Sequence, residues 1–236
     1  MATKIEWTEE TWNPVTGCTK YSAGCEHCYA ANFARRLQSM RNNRYLNGFK
    51  VTVHRDLFQK PLEWTKPKII FVNSMSDLFH EDVSDEDILA IFYTMNKASQ
   101  HTFQVLTKRS ERVIALSPRI KWTDNIWMGV SIENKAVIHR CEELKETGAK
   151  VKFISAEPLL ESISGIDLNG INWLIVGGES GAQSRSMEEA WVIELRDLAK
   201  QKNIPFFFKQ WGGFNKKANG SELQGQHYKE YPFVKD

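Results

Sequence analysis

The sequence predicts an α/β fold built from parallel β/α units, a partial or complete (β/α) barrel, and three observations carry that prediction. Short β-branched or aromatic runs recur seven times along the 236-residue chain. Helical patterns with recognisable start and stop signals lie between several of them. No internal repeat, low-complexity block or Gly/Ser linker interrupts the alternation. Seven strands in one domain suit a barrel better than two separate sheets, and a doubly wound open sheet is the alternative.

In order, strands are expected at VTVH (51–54), IIFVNSM (69–75), TFQVLTK (102–108), NIWMGVSI (125–132), KVKFISAE (150–157), NWLIVGGE (172–179) and IPFFFKQWG (204–212). Several are continuously apolar, as buried parallel strands are. Helices are expected at AANFARRLQSM (30–40), at SDEDILAIFYTMNKAS (84–99) with Ser84 as N-cap, and at MEEAWVIELRDLAKQKN (187–203) ahead of Pro205. A fourth, ENKAVIHRCEELKETG (133–148), ends at Gly148 and places Val137, Ile138, Cys141 and Leu144 on one apolar face. Residues 1–213 read as this single domain. The polar stretch 214–236, with a turn signal at Asn219-Gly220, reads as a loop over the rim or a C-terminal tail.

The net charge of +2 is too small to name a partner. No apolar run approaches the roughly 18 residues a membrane span needs, and MATKIEWTEE has no apolar signal core, so the chain is expected to be cytoplasmic. Thiols stay reduced in that compartment. Clustered cysteines there point to a metal or redox site rather than to disulfides.

Three of the four cysteines, Cys18, Cys25 and Cys28, form C-x6-C-x2-C within GCTKYSAGCEHCYA, between glycine-containing turns and directly ahead of a helical pattern. A short loop of this kind can turn several sulfurs inward on one metal, and three soft ligands suit zinc or an iron–sulfur cluster. Structural zinc needs a fourth ligand. His27 is awkwardly adjacent to Cys28, and His80 is the better candidate. Cys141 sits mid-helix on the apolar face, where a small buried thiol is the expected reading. An iron–sulfur cluster held by three thiolates leaves one iron open to a small molecule.

In either α/β architecture the chemistry lies at the C-terminal ends of the strands. That rule selects Asn73, Ser74, Ser76 and Asp77; Thr107, Lys108 and Arg109; Ser131 and Glu133; Ser155 and Glu157; Glu179 and Ser180; and Lys209, Gln210 and Trp211.

WNPVTGCTKYSAGCEHCYA, FVNSMSDLFHEDV, QVLTKRSER, WMGVSIE, RCEELKETGAKVKFISAEPLL, WLIVGGESG and FFFKQWGG together resemble the phage-type three-Cys-motif family of radical-SAM-like proteins, within the radical S-adenosylmethionine superfamily. The likeness runs from Trp7 to about Gly213. It implies a radical-SAM-type barrel in which Cys18, Cys25 and Cys28 hold a 4Fe-4S cluster. The open iron would chelate S-adenosyl-L-methionine, whose reductive cleavage by an electron donor yields a 5′-deoxyadenosyl radical. Asn73, Ser74, Ser131, Glu133 and Glu157 are candidates to accept from the methionine ammonium, and Lys108 or Arg140 to hold its carboxylate. The chain departs from the superfamily in its six-residue first gap, in His27 at the usual aromatic position, and in placing Gly177-Gly178-Glu179 at the end of the sixth run.

A nucleic-acid or nucleotide substrate is the expectation, with Lys209, Gln210 and Trp211 contacting it. Trp7 and Trp12, together with Arg35, Arg36 and Arg109, supply rings and cations of the kind that stack bases and neutralise phosphates.

Overall fold

The computed structural model of this chain describes residues 5–232, so the last four residues of the expected tail lie outside the described residues. Seven parallel strands form the main sheet: β1 (Glu10–Trp12), β4 (Ile69–Val72), β5 (Thr102–Thr107), β6 (Ile126–Ser131), β7 (Val151–Ala156), β8 (Trp173–Gly177) and β9 (Phe206–Gln210), in that order across the sheet. Two short antiparallel pairs accompany it, β2 (Val15–Thr16) with β3 (Thr52–Val53) and β10 (Glu222–Leu223) with β11 (Gln226–His227). The helices are α1 (Tyr29–Ser39), α2 (Asp85–Lys97), α3 (Ser110–Leu116), α4 (His139–Lys145), α5 (Glu189–Gln201) and α6 (Lys216–Asn219). A parallel run that follows chain order and does not return to its first strand is a partial β/α barrel.

The seven-strand expectation was right in number and wrong in one member. VTVH pairs antiparallel with β2 rather than joining the parallel sheet, and ETW, only three residues long, takes a place in it beside β4. So short a strand shows no periodicity in the sequence.

The chain divides into two compact units. The first comprises Met1–Tyr21, Cys28–Met128 and Thr147–Val151. Its core holds Ile70, Val72, Phe103 and Val105, all fully buried, with Ile88, Ile91, Phe92 and Met95 of α2 at i, i+3, i+4 and i+7. Burying each such side chain contributes about 1.5–3 kcal/mol. Ser84 caps α2 as expected, its hydroxyl accepting the Asp87 N–H at 3.2 Å. Asp87 in turn takes a two-pronged ion pair from Arg55 at 2.8 and 2.9 Å, tying the helix start to the loop after β3.

The second unit comprises Ser22–His27, Gly129–Glu146 and Lys152–Asp236. Its strands β7, β8 and β9 pair in parallel, and Val192, Leu195 and Ala199 of α5 are buried at i, i+3 and i+7. The expected helix over 133–148 is shorter, with a separate turn at Lys135–Val137 before α4. Cys141 and Leu144 are buried, while Val137 and Ile138 lie in or beside the turn and are only half-buried. Residues 214–232 hold α6, β10 and β11, and their last part packs on β9: Phe208 N–H donates to the Tyr228 carbonyl at 2.9 Å and Glu230 N–H to the Phe206 carbonyl at 3.2 Å. No helix among the described residues is long and apolar enough to cross a membrane.

Candidate functional site

The segment that carries the three cysteines follows β2. Gly17 has φ +85°, and an added Cβ would lie 2.2 Å from the Lys50 carbonyl oxygen, so only glycine fits where the chain passes residues 49–50. Gly17 N–H donates to the Met75 carbonyl at 3.0 Å and Cys18 N–H to the Phe49 carbonyl at 3.1 Å. The backbone that bears Cys18 is therefore pinned on both sides.

Its side chain meets a buried arginine. Arg109, 3% exposed, directs Nη1 at the Cys18 sulfur (3.7 Å) and Asp77 (3.2 Å), Nε at Glu81 (3.1 Å) and Nη2 at the Thr19 hydroxyl (3.1 Å), and its guanidinium stacks on the Tyr21 ring at 4.7 Å. Burial works against its charge. The facing Asp77, Cys18 and Glu81 outweigh that and hold the guanidinium above its ordinary pKa. Asp77 is itself held by the Thr107 hydroxyl at 2.6 Å and the Lys108 N–H at 3.1 Å, so the end of β5 fixes the arginine.

His80 is fully buried beside this group. Burial, then the nearby Arg109, lowers its pKa, so the ring is neutral at neutral pH. Nδ1 accepts the Asp82 N–H at 3.1 Å, which leaves the ring proton on Nε2, donated to the Thr19 hydroxyl at 2.8 Å. Both ring nitrogens are thus occupied within the protein. An open cavity of 620 Å³ borders the same loop, lined by Cys18, Thr19, Phe49, Lys50, Val51 and Asp82.

Cys28 is the N-cap residue of α1 and makes no capping bond through sulfur. It packs half-buried against the cluster of Ala30, Ala34, Tyr45 and Met75. The positive end of the α1 dipole falls at this thiol.

In the second unit, Cys25 ends a single helical turn, Ala23–Cys25, that two charged groups fasten. Glu133, fully buried, accepts the Ser22 hydroxyl and, at 3.2 Å, the Gly24 N–H; its other oxygen takes Arg140 Nη1 at 2.9 Å. Arg140, 2% exposed, also donates to the Ser131 carbonyl at 2.8 Å. Arg185 reaches the turn from another side, donating to the Ala23 carbonyl (3.0 Å) and Glu26 (3.1 Å) while Glu179 holds it at 2.6 and 2.9 Å. Burial alone would raise Glu179, but the Arg185 guanidinium and backbone N–H win, and its carboxyl titrates below the usual range.

The remaining candidates fall into smaller groups. Glu157 accepts Lys209 Nζ at 2.6 Å and Gln210 Nε2 at 3.0 Å, and Gln210 also reaches the Gly178 carbonyl at 3.2 Å. Gly178 has no room for a side chain, since a Cβ would lie 2.0 Å from the Trp211 carbonyl oxygen. Trp211, half-buried, donates Nε1 to the Glu222 carbonyl at 2.8 Å and sets its ring 4.8 Å from Phe208. Asn73, at φ +59°, accepts the Val15 N–H at 3.3 Å, and Ser74 donates to Asn13 at 3.2 Å. Buried Asn73 Nδ2 and, in the second unit, Ser155 Oγ have no hydrogen-bond partner among the described residues.

Ser131, Glu133 and Arg140 are thus brought together, as are Glu157, Lys209 and Gln210. Trp7 and Trp12 correct an expectation: each is 2% exposed and sits in the core, Trp7 edge-on to Phe71 at 4.6 Å, Trp12 tilted to Phe103 at 5.9 Å. Indoles of that size contribute more to packing than to an open face. Thr19 and Arg185 were missed altogether. Neither has a spacing signal, and Arg185 lies in the polar loop GESGAQSRS, where an arginine looks like surface.

None of the four cysteines is in a disulfide, and Cys18, Cys25 and Cys28 are half-buried while Cys141 is buried. Among the described residues no three His, Cys, Asp or Glu side chains stand close enough together to hold a metal ion. The donor chemistry nonetheless fits a soft metal: three reduced thiols, one already taking an N–H from a buried cation. Burial pushes the Cys141 thiol up to about 12, and its S–H donates to the Asp167 carbonyl at 3.3 Å. Iodoacetamide at pH 8 is therefore expected to alkylate the three loop thiols and spare Cys141 until the protein unfolds, as intact-mass and peptide mass spectrometry will read. Modification of Cys141 in the folded chain at a rate like the others would contradict its packing role.

Strand order and loop placement define a parallel α/β protein of the partial-barrel class, with a three-thiol segment following its first strands. Within that class, residues 2–232 match the family described as "Protein of unknown function (DUF5131)", and the chain belongs to it. No curated protein sequence matches the chain. Two solved structures of spore photoproduct lyase are similar to it. A mutant with bound AdoMet and dinucleoside spore photoproduct gives a TM-score of 0.46 at 12% identity over 79% of this chain. A complex with dinucleoside spore photoproduct gives 0.45 at 14% identity over 80%. The chain spans 59% of the length of each of those lyase chains.

Proposed function

We propose that this protein is a radical S-adenosylmethionine enzyme of the phage-type three-Cys-motif kind, holding a 4Fe-4S cluster through Cys18, Cys25 and Cys28 and acting on a nucleic acid or nucleotide. The observation that carries the reading is the division among the cysteines: three are half-buried on one short segment, and the fourth is sealed in a helix–loop contact. The motifs quoted above give the same assignment. When bound, the cluster and S-adenosylmethionine supply one-electron reductive cleavage of a carbon–sulfur bond, chemistry that no side chain provides.

This chain's own residues have the remaining tasks. Arg109 directs an N–H at the Cys18 sulfur and balances negative charge there. Glu133 and Arg185 hold the turn that bears Cys25. Asn73, Ser74, Lys108, Ser131 and Glu157 stand at strand ends as the candidate contacts to the methionine portion. Lys209, Gln210 and Trp211 remain the candidates for substrate.

Anaerobic reconstitution tests the proposal. The protein is expected to take up about three to four irons per chain with visible iron–sulfur absorbance and, with dithionite, to convert S-adenosylmethionine to 5′-deoxyadenosine. A cluster without cleavage under any reductant would leave a noncatalytic iron–sulfur module. A stoichiometric colourless metal would indicate structural zinc instead.

A further inference from the structure

Helix α1 has two faces of different character. Ala30, Ala34 and Leu37, at i, i+4 and i+7, pack with Tyr45, Met75 and Phe49. About 100° around the helix, Tyr29 and Phe33 in α1 and Met40 at its C-cap form a second apolar stripe at i, i+4 and i+11. These three are 57%, 47% and 67% exposed. The Tyr29 hydroxyl donates to the Ser74 carbonyl at 2.5 Å, while the two rings and the methionine stay aligned on one exposed stripe, a surface suited to contact.

The charge around the stripe says with what. From Cys28 to His54 the sequence carries Arg35, Arg36, Arg41, Arg44 and Lys50 and no Asp or Glu. Five such charges against a net of +2 leave the rest of the chain at −3. Arg44 is paired with Asp56. Arg36 and Arg41 are exposed on α1 or just after it, and Arg36 falls about 40° from the stripe, whereas Arg35, bonded to Asn32 at 2.6 Å, falls about 140° away on the opposite side of the helix. A polyanion with flat apolar faces is complementary to rings flanked by guanidinium groups, which is how single strands are held without regard to sequence. A duplex offers phosphates but keeps its bases stacked away from such rings. A lipid surface would need the helix to lie in the headgroup layer, and its Ala30–Ala34 face is committed to the core.

We propose that the stripe Tyr29, Phe33 and Met40, with Arg36 and Arg41, is a docking surface for single-stranded nucleic acid. It deepens the function proposed above by naming a substrate class, and rests on that reading for its placement: α1 begins at Cys28, so the strand would run from the cysteine loop along the helix.

The test is fluorescence anisotropy with a labelled oligo(dT) of about 16 nucleotides, the upper end of such site sizes, on the full chain before and after reconstitution. Phe33→Ala is expected to weaken binding about tenfold through lost stacking. The double variant Arg36→Gln/Arg41→Gln is expected to reduce the slope of log affinity against log salt by about 1.4, at about 0.7 per phosphate contact on a single strand. Tyr93→Ala, an exposed ring 60% accessible on α2, serves as control and leaves binding unchanged.

Absence of binding at low salt, equal loss in Tyr93→Ala, or indifference to both α1 variants would overturn the assignment. So would a Phe33-dependent dimer in sedimentation, or capture by phosphatidylserine vesicles, with no oligonucleotide bound. Circular dichroism of each variant separates lost binding from lost folding. Iron is counted on the same preparations: binding without iron uptake sinks the cluster reading and keeps this surface, and iron with S-adenosylmethionine cleavage but no binding does the opposite.

Discussion

Alanine at Cys18, Cys25 or Cys28 is expected to abolish iron retention after reconstitution, while Cys141→Ala keeps the full complement of about three to four irons per chain. The contrast follows from what each sulfur touches. Cys141 is buried, its thiol is raised to about 12 and its S–H is spent on the Asp167 carbonyl, so it offers no ligand without unpacking α4. Removing it costs packing of about 1 kcal/mol, visible as a small drop in melting temperature. The three loop thiols are half-buried on backbone held from several sides. Iron analysis with a visible spectrum on the four variants decides the matter, and a cluster lost only in Cys141→Ala would sink the three-ligand assignment.

The second large effect is on stability. Glu133→Ala is expected to destabilise the protein by about 3–5 kcal/mol, because it removes one partner of a buried ion pair with Arg140. It also strips the Ser22 hydroxyl and Gly24 N–H of their acceptor. For a chain of this size that corresponds to a fall of roughly 6–20 °C in a thermal melt followed by circular dichroism. The double change Glu133→Ala/Arg140→Met is expected to recover part of the loss by replacing the remaining buried cation with an apolar side chain. A melting point within about 2 °C of the parent for the single variant would show that the pair is not load-sharing as described.

Legibility in the sequence followed the range over which each feature is determined. Ser84 and its acidic first turn predicted α2 because an N-cap is decided by neighbouring residues. The apolar runs at β4 to β9 predicted buried parallel strands because burial on both faces leaves a continuous signature. β1 escaped notice since ETW owes its place to pairing with Ile70, Phe71 and Val72, far along the chain. VTVH has the composition of a sheet strand, and only its partner Val15–Thr16 shows that it lies elsewhere.

The site was readable to a similar degree. Cys18, Cys25 and Cys28 stand out by spacing, and Arg109, Asp77 and Glu133 by position at strand ends. Arg140 and Glu133 were expected separately, as contacts to opposite ends of one ligand, and the structure pairs them with each other. A side chain's partner depends on which elements pack together, and strand ends alone do not say that. Arg185 left no trace for the same reason: its partners are Glu179, Glu26 and Ala23, and the last two lie some 160 positions away.

β9 has a further consequence. Its sequence FFFKQ is apolar enough to attract another chain, and its outer edge is occupied by residues 228–230, with Phe207 bridged to Lys229 and the Lys229 ammonium seated on the Phe208 carbonyl at 2.8 Å. The polar C-terminal stretch therefore covers the outer edge of β9. A protein shortened at Gly213 would bare an unpaired phenylalanine-rich edge, an open template for edge-to-edge aggregation.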